Sequence, residues 1–194
     1  MSMIRNNLAS QKFCQQIENW VEEERVRLEH GRRKSFRRRV AAILASLAAV
    51  TAIFAMVVGF AGVIGSSMAP TLRAGDVGVY LRLHGVVEPG DIVVFHSGGQ
   101  TLIKRVIAVA GDKVDVDAAT GRITVNGRVL DEPYAVSGGH HKDTVDFPAT
   151  VPEGALFVLG DNRDDSIDSR NVEVGMVPLK NLMGKVVTVL RTSF

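Results

Sequence analysis

The chain has 194 residues, 46 % of them hydrophobic, and a formal net charge of +2, which suits one domain of ordinary size with appendages. The charge is unevenly spread: residues 1–39 hold 10 Lys and Arg against 5 Asp and Glu, residues 40–60 hold none, and residues 61–194 hold 13 against 16, giving +5, 0 and −3. A basic excess confined to one end, beside an apolar run, speaks for membrane topology and against a nucleic-acid binder, whose basic patch more often sits on its folded domain.

From the N-terminus, residues 4–30 read as an amphipathic helix. Phe13, Ile17, Trp20, Val21 and Leu28 recur near helical spacing, and Glu22, Glu23 and Glu24 occupy much of the remainder. Such a helix suits a membrane surface or a partner helix. The single cysteine, Cys14, falls here. It excludes an intrachain disulfide and, with no acid–base partner near it, reads as a packing residue. The block GRRKSFRRR, residues 31–39, carries six Lys and Arg. VAAILASLAAVTAIFAMVVGF, residues 40–60, then runs 21 residues without a charge. As a helix that is roughly 30 Å, the thickness of the hydrocarbon core. The positive flank predicts a single-pass transmembrane helix over residues 40–60, with residues 1–39 cytoplasmic and the rest outside. A cleaved signal peptide is the rival reading, but its apolar region is only about 7–15 residues and it lacks an N-terminal arm of this length.

Beyond residue 61 the pattern becomes short Val- and Ile-rich runs: DIVVF, TLIKRVIAVA, KVDVD, RITVNGRVL, ALFVLG and KVVTVL, separated by Gly, Pro and Asp. This predicts an all-β domain over residues 61–194. Within it, ITV-Asn126-Gly127-RVL signals a hairpin, because Asn-Gly accepts the positive φ angles of a type I′ turn. No later run is long enough for a second span.

Two adjacent hydroxyls, Ser66 and Ser67, follow the span in GSSMAPTL, residues 65–72. A serine nucleophile needs a base. The histidines of this part, His84, His96, His140 and His141, stand in no recognisable triad context. His140 and His141 could share a metal with Asp143 or Asp146, yet no further ligand is spaced to complete a site, and a solvated loop is the reading kept. A neutral lysine can also act as base. Lowering its pKa from about 10.4 to near 8 takes roughly 3 kcal/mol, which burial among apolar groups can supply. Lys104 stands in such a run, Leu102-Ile103-Lys104-Arg105-Val106-Ile107. Strand alternation puts it on the face of Leu102 and Val106, with Arg105 opposite; an edge or snorkelling lysine is the bland alternative. GDNRDDSIDSR, residues 160–170, follows an apolar strand and is dense in Asp and Arg. A solvated turn is the plain reading. Asp164, Ser166 and Asp168 have the 1-3-5 spacing of a calcium loop, but Ser169 stands where that loop needs Gly and Gly175 where it needs Glu, so no metal is expected.

Together and in this order, the segments resemble bacterial type I signal peptidases (leader peptidases). SSMAPTL resembles their serine box, PGDIVVF at residues 89–95 the next box, and IKRVIAVAGDKV at residues 103–114 the lysine box. GDNRDDSIDSR resembles the last box almost residue for residue, followed by G-x-V-P from Gly175 to Pro178 and by Gly184-Lys185. The resemblance covers residues 40–194. It implies a β catalytic core with a small β insertion, about residues 111–155, in a serine endopeptidase that removes signal peptides after an Ala-x-Ala-like site. By the same resemblance Ser67 is the nucleophile, Lys104 the general base, and Ser166 the hydroxyl that hydrogen-bonds and orients that lysine. Asp168 and Arg170 are an ion pair behind the site, Arg105 is a second structural base, and Ser66 is a neighbour only. Met68 and Leu72 would line the pocket for the residue before the cut. Segments 61–64 and 101–104, and with them Val63, Ile64, Leu102 and Ile103, would pair with the extended substrate as added strands. Val63, Ile64, Met68 and Leu72 form either an apolar collar toward lipid or plain buried core. One departure is Gly65, which stands where some family members carry a serine that helps hold the oxyanion. The chain resembles the branch with Gly there, leaving the Ser67 N–H and another donor.

The implied setting is the bacterial cell membrane. The implied partners are secretory preproteins, the lipid bilayer and the secretion translocon, with no nucleic acid and no cofactor. From Phe60 to Ser67 is seven residues, at most about 25 Å of extended chain, so the hydroxyl stays near the surface where a signal peptide's cut site emerges. Three other readings stay open. A peptidase dedicated to a narrow client set, such as pilins, keeps the chemistry. A membrane-tethered domain that only binds keeps the fold, although intact Ser67, Lys104 and Ser166 speak against it. A self-cleaving repressor-type Ser/Lys protease would carry a DNA-binding module, which the span and the short acidic N-terminal helix do not resemble.

Overall fold

In a computed structural model, residues 2–83, 85–117, 119–136 and 145–191 are described, with helix side chains at 19–22, 24, 25 and from 36 onward. The side chain of Cys14, and His84, His140, His141 and Asp143, lie outside these residues. The chain divides into two compact units, Met1–Ile53 and Phe54–Phe194.

A single helix, α1, runs from Ser2 to Val57. It joins the predicted surface helix, basic block and span into one element about 84 Å long at 1.5 Å per residue. Residues 2–57 contain one Gly, Gly31, and no Pro, so nothing local breaks the helix. Phe36–Val57 has the length and the mean hydropathy, 2.5, of a membrane span. Its Ile43, Leu44, Leu47, Val50 and Ile53 are all exposed, the arrangement expected where the solvent is lipid. The helix ends before the expected boundary: Val58, Gly59 and Phe60 open the first strand instead. An apolar run does not by itself distinguish a buried strand from a helix. Gly59 suits the strand, because the Tyr80 ring packs where any Cβ at 59 would stand.

The second unit is mainly β. In chain order its strands are β1 Val58–Gly62, β2 Val77–Leu81, β3 Ile92–Ser97, β4 Gln100–Val109, β5 Lys113–Val116, β6 Ile123–Val125, β7 Arg128–Val129, β8 Ala149–Thr150, β9 Ala155–Leu159, β10 Val177–Pro178 and β11 Leu182–Leu190. One sheet has the order β1-β2-β11-β3-β4-β9-β10 and the other β7-β6-β5-β8. The pairings between these strands are all antiparallel. The smaller sheet is drawn from residues 113–150, inside the expected insertion. Its hairpin turns on Asn126 (φ 51°) and Gly127 (φ 77°), both left-handed as a type I′ turn requires.

β4 organises the domain because it feeds all three core clusters. Ile103 packs with Leu72, Tyr80 and Val94. Val106 packs with Val93, Phe95 and Val158. Ile107 and Ala108 pack with Val114, Ile123 and Phe157, where the two sheets meet. Each fully buried side chain of this size contributes about 1.5–3 kcal/mol. β9 is buried at all five positions, which is why ALFVL reads as an unbroken apolar run rather than an alternating one.

Two strand edges are left open beside each other. β1 is an outer strand, hydrogen-bonded among the described strands to β2 alone. β4 pairs with β3 from Gln100 to Arg105, but its pairing with β9 begins only at Arg105. A groove of about 620 Å³ runs between these edges, walled by Phe60–Gly62 and Ile64 on one side and Gln100–Ile103 on the other.

Candidate active site

Where the groove walls stop, chain continuity delivers two functional groups. Lys104 follows Ile103 on β4. Ser67 lies three residues beyond Ile64, in a tight turn closed by Ala69 N–H to Ser66 O (2.9 Å) and Leu72 N–H to Met68 O (2.8 Å). This turn sends Met68 and Leu72 inward, where they are 2 % and 0 % exposed. Neither walls the groove, and Val63 packs against the same core. Of the supposed collar only Ile64 is fully exposed, at 99 %. Met68 and Leu72 belong to the core cluster of Tyr80, Val94 and Ile103. Of the six residues expected to contact substrate, Ile64, Leu102 and Ile103 reach the groove.

Lys104 Nζ is hydrogen-bonded to Ser67 Oγ at 2.8 Å. The lysine is 2 % exposed. Burial lowers its pKa below the ordinary 10.5, overriding the attraction of the Asp168, Asp161 and Asp165 charges; the Arg170 charge acts in the same direction as burial. The structure thus brings Lys104, expected from the sequence as a base, within hydrogen-bond reach of Ser67. Ser66, by contrast, is turned outward and its hydroxyl bonds the Asp165 carboxylate.

Ser166 differs from expectation. Its hydroxyl is buried yet meets no hydrogen-bond geometry with Lys104 or any other described group. It lies near enough to Asp168 to help hold that carboxyl low, and it packs against Gly160, where a Cβ would collide with it. Lys104 reaches Ser67 instead, so the orienting bond from Ser166 is not made in this state.

The 160–170 loop is held from behind by paired charges. Arg170 donates to Asp168 through Nε (2.9 Å) and a terminal nitrogen (3.0 Å), and the Gly160 N–H donates to the same carboxylate (3.0 Å). Burial alone would raise the Asp168 pKa; the Arg170 guanidinium overrides it and holds the carboxyl below its usual value. Both residues are almost wholly buried. Asp168 is thus committed to Arg170, and Asp164, the first position of the 1-3-5 spacing, is exposed. Arg105 also takes a structural position. It donates to Asp161 at 2.8 and 2.6 Å and to Gly90 O at 3.0 Å.

Several site residues were not singled out from sequence. Asp161 accepts both Arg105 and the Thr71 hydroxyl, the latter at 2.5 Å. The Asn162 N–H donates to the Ser67 carbonyl at 3.0 Å, tying the acidic loop directly to the Ser67 turn. The packing of charges in GDNRDDSIDSR was the available signal for Asp161; nothing marked Asn162, because its backbone makes the contact.

A hydroxyl against a buried amine, at the end of an open-edged β groove, has the geometry that a lysine-based variant of the serine-hydrolase constellation needs. A family profile described as signal peptidase, peptidase S26, matches residues 36–191. A Bacillus caldolyticus protein named signal peptidase I is 35 % identical over 137 residues, covering 63 % of this chain and 73 % of its own length. Signal peptidase IB of Staphylococcus aureus (strain Mu50) is 37 % identical over 141 residues, covering 63 % and 72 %. A crystal structure of a signal peptidase I from Enterococcus faecalis is 35 % identical and covers 54 % of this chain and 99 % of that one, with a TM-score of 0.42. The chain belongs to the signal peptidase family, peptidase S26. It is a serine endopeptidase of that family, anchored by its apolar N-terminal helix.

Proposed function

We propose that this chain removes N-terminal signal peptides from secreted preproteins, cutting after an Ala-x-Ala-like site with Ser67 as nucleophile and neutral Lys104 as general base. The observation that carries the assignment is the 2.8 Å bond between Ser67 Oγ and a lysine that is 2 % exposed. In the reactive form the hydroxyl donates to the neutral amine. Lys104 takes the proton as Oγ attacks the scissile carbonyl, then returns it to the departing amine of the mature protein. The signal peptide is left as an ester on Ser67. Lys104 then takes a proton from a water that attacks the ester carbonyl and returns it to Ser67 Oγ as the signal peptide leaves as a free acid. The Ser67 backbone N–H is a donor the chain itself offers the oxyanion. Once Ser67 Oγ is esterified, Lys104 needs another partner, and the Ser166 hydroxyl, which the family resemblance assigns to orient this lysine, takes that role.

The substrate enters as an extended strand between the free edges of β1 and β4. Ile64, Leu102 and Ile103 contact it, and Met68 and Leu72 support the Ser67 turn from beneath. The basic block sets the amino end of α1 in the cytoplasm of a bacterial cell and the β domain outside. The bilayer and the secretion translocon are the partners this topology brings near.

The test uses the full chain in lipid vesicles with a preprotein bearing an Ala-x-Ala site, the product's new N-terminus being sequenced. Cleavage directly after the motif is expected. A folded enzyme that leaves this and a panel of other preproteins intact would overturn the reading.

A further inference from the structure

Outside the Ser67–Lys104 pair, a second cluster of partly and wholly buried polar side chains has no part in the proposed chemistry. It lies on residues 132–136, which follow β7. The Arg105 guanidinium stacks on the Tyr134 ring, 4.1 Å from its centroid. The Tyr134 hydroxyl donates to Glu132 at 3.0 Å. Glu132 in turn receives both terminal nitrogens of Arg163, at 2.9 and 2.5 Å. Arg163 Nε donates to the Gly160 carbonyl at 3.0 Å. The backbone repeats the attachment: Val136 N–H donates to Asp161 O (2.8 Å) and Arg163 N–H to Val136 O (3.1 Å).

The segment thus grips two parts of the chain next to the reacting groups. Through Arg163 and Val136 it holds residues 160–163, whose Asn162 N–H holds the Ser67 carbonyl. Through Tyr134 it holds Arg105, the residue after Lys104 on β4. Neither Glu132 nor Tyr134 walls the groove, so neither contacts the substrate strand of the proposed function. Planar stacking of Arg on Tyr and bidentate pairing of Arg with a carboxylate are the geometries that fix orientation rather than merely charge.

We propose that Glu132 and Tyr134 are positioning residues for the reaction: residues 132–136 brace the 160–163 loop and Arg105, and so set the distance between Ser67 and Lys104. The inference rests on the proposed catalytic role of that pair. Burial and the neighbouring Glu132 charge also push the Tyr134 hydroxyl well above its ordinary pKa, so it stays protonated and donating throughout the working range.

The test compares full-length wild type, Tyr134→Phe, Tyr134→Leu, Glu132→Gln and Ser67→Ala in lipid vesicles on one preprotein, with melting temperatures measured in parallel. Tyr134→Phe keeps the stack and should retain most of kcat. Tyr134→Leu loses the stack, and Glu132→Gln loses the charge that orients Arg163. Each should lower kcat by roughly ten- to a hundredfold, since misplacing a reacting pair by about an ångström costs on that order. KM should stay unchanged, because the groove is untouched. If Tyr134→Leu fails to fold, Glu132→Gln and Tyr134→Phe still decide. Wild-type kcat in a folded Glu132→Gln, or a rise in KM alone, would overturn the proposal. If wild type does not cleave, or Ser67→Ala still does, it is the catalytic assignment that fails, and the two failures are distinct.

Discussion

Gly160 offers the sharpest probe of how the acidic loop serves the Ser67 turn. In Gly160→Ala the new Cβ would stand 2.5 Å from the Ser67 carbonyl oxygen and 2.6 Å from Ser166 Cβ, and would collide outright with Ser166 Oγ. Comfortable separations for carbon are about 3.5–4 Å, so roughly an ångström of overlap must be relieved. Ser67 O cannot simply retreat, because the Asn162 N–H holds it at 3.0 Å. Overpacking of this kind costs about 1–3 kcal/mol, which for a chain of this length lowers Tm by roughly 2–12 °C. The shift falls on the residue that carries the proposed nucleophile, so kcat should drop by about a hundredfold. Preprotein cleavage under saturating substrate, well below the measured Tm, gives the answer. A folded Gly160→Ala enzyme with wild-type kcat would show that the contact between the loop and the Ser67 turn does not govern the chemistry.

Two further outcomes follow from the charges. Burial lowers the Lys104 pKa from 10.5, and the base works neutral, so kcat should rise with pH through a midpoint below that value; a rate that falls as pH rises through that range, or a midpoint that Lys104→Arg leaves in place, would contradict it. The same sign applies to stability: protonation of Lys104 opposes the fold below its folded pKa, and that penalty fades as pH rises toward the unfolded value. Asp168→Asn leaves the wholly buried Arg170 without its anion, and removing one partner of a buried pair costs about 3–5 kcal/mol. Because the Asp168 carboxyl is held below its usual value, its contribution in wild type is present above the unfolded pKa, about 3.9, and lost as pH falls through the folded one. The Tm difference between wild type and Asp168→Asn should therefore shrink in acid, and a constant difference would refute the pairing.

The β content was legible because burial leaves a compositional trace. β3, β4, β5, β6, β9 and β11 fall on runs rich in Val and Ile, and Asn126-Gly127 turns as its φ angles require. β1 was hidden, because an apolar strand directly continuing an apolar helix has no change in composition at the boundary. β8 and β10 are two residues each, too short to carry a periodicity. At the site, Lys104 was legible as a charge inside an apolar run, and Ser67 by its neighbours. Met68 and Leu72 were not resolved between groove and core, since an apolar side chain suits both and only the Ser67 turn sends them inward. The Asn162 contact to Ser67 is made by backbone, so no side-chain pattern encodes it. Glu132 and Tyr134 lie some thirty residues from either partner in sequence, and only the folded chain brings them onto Arg163 and Arg105.

The central claim is that Ser67 and Lys104 together perform the cleavage. The most direct measurement follows one preprotein with wild type, Ser67→Ala and Lys104→Ala in vesicles, sequencing every new N-terminus and confirming each fold by its melting transition. The account predicts cleavage after the Ala-x-Ala motif by wild type and none by either variant, both of which remain folded. Cleavage at that bond by folded Ser67→Ala or Lys104→Ala would contradict it.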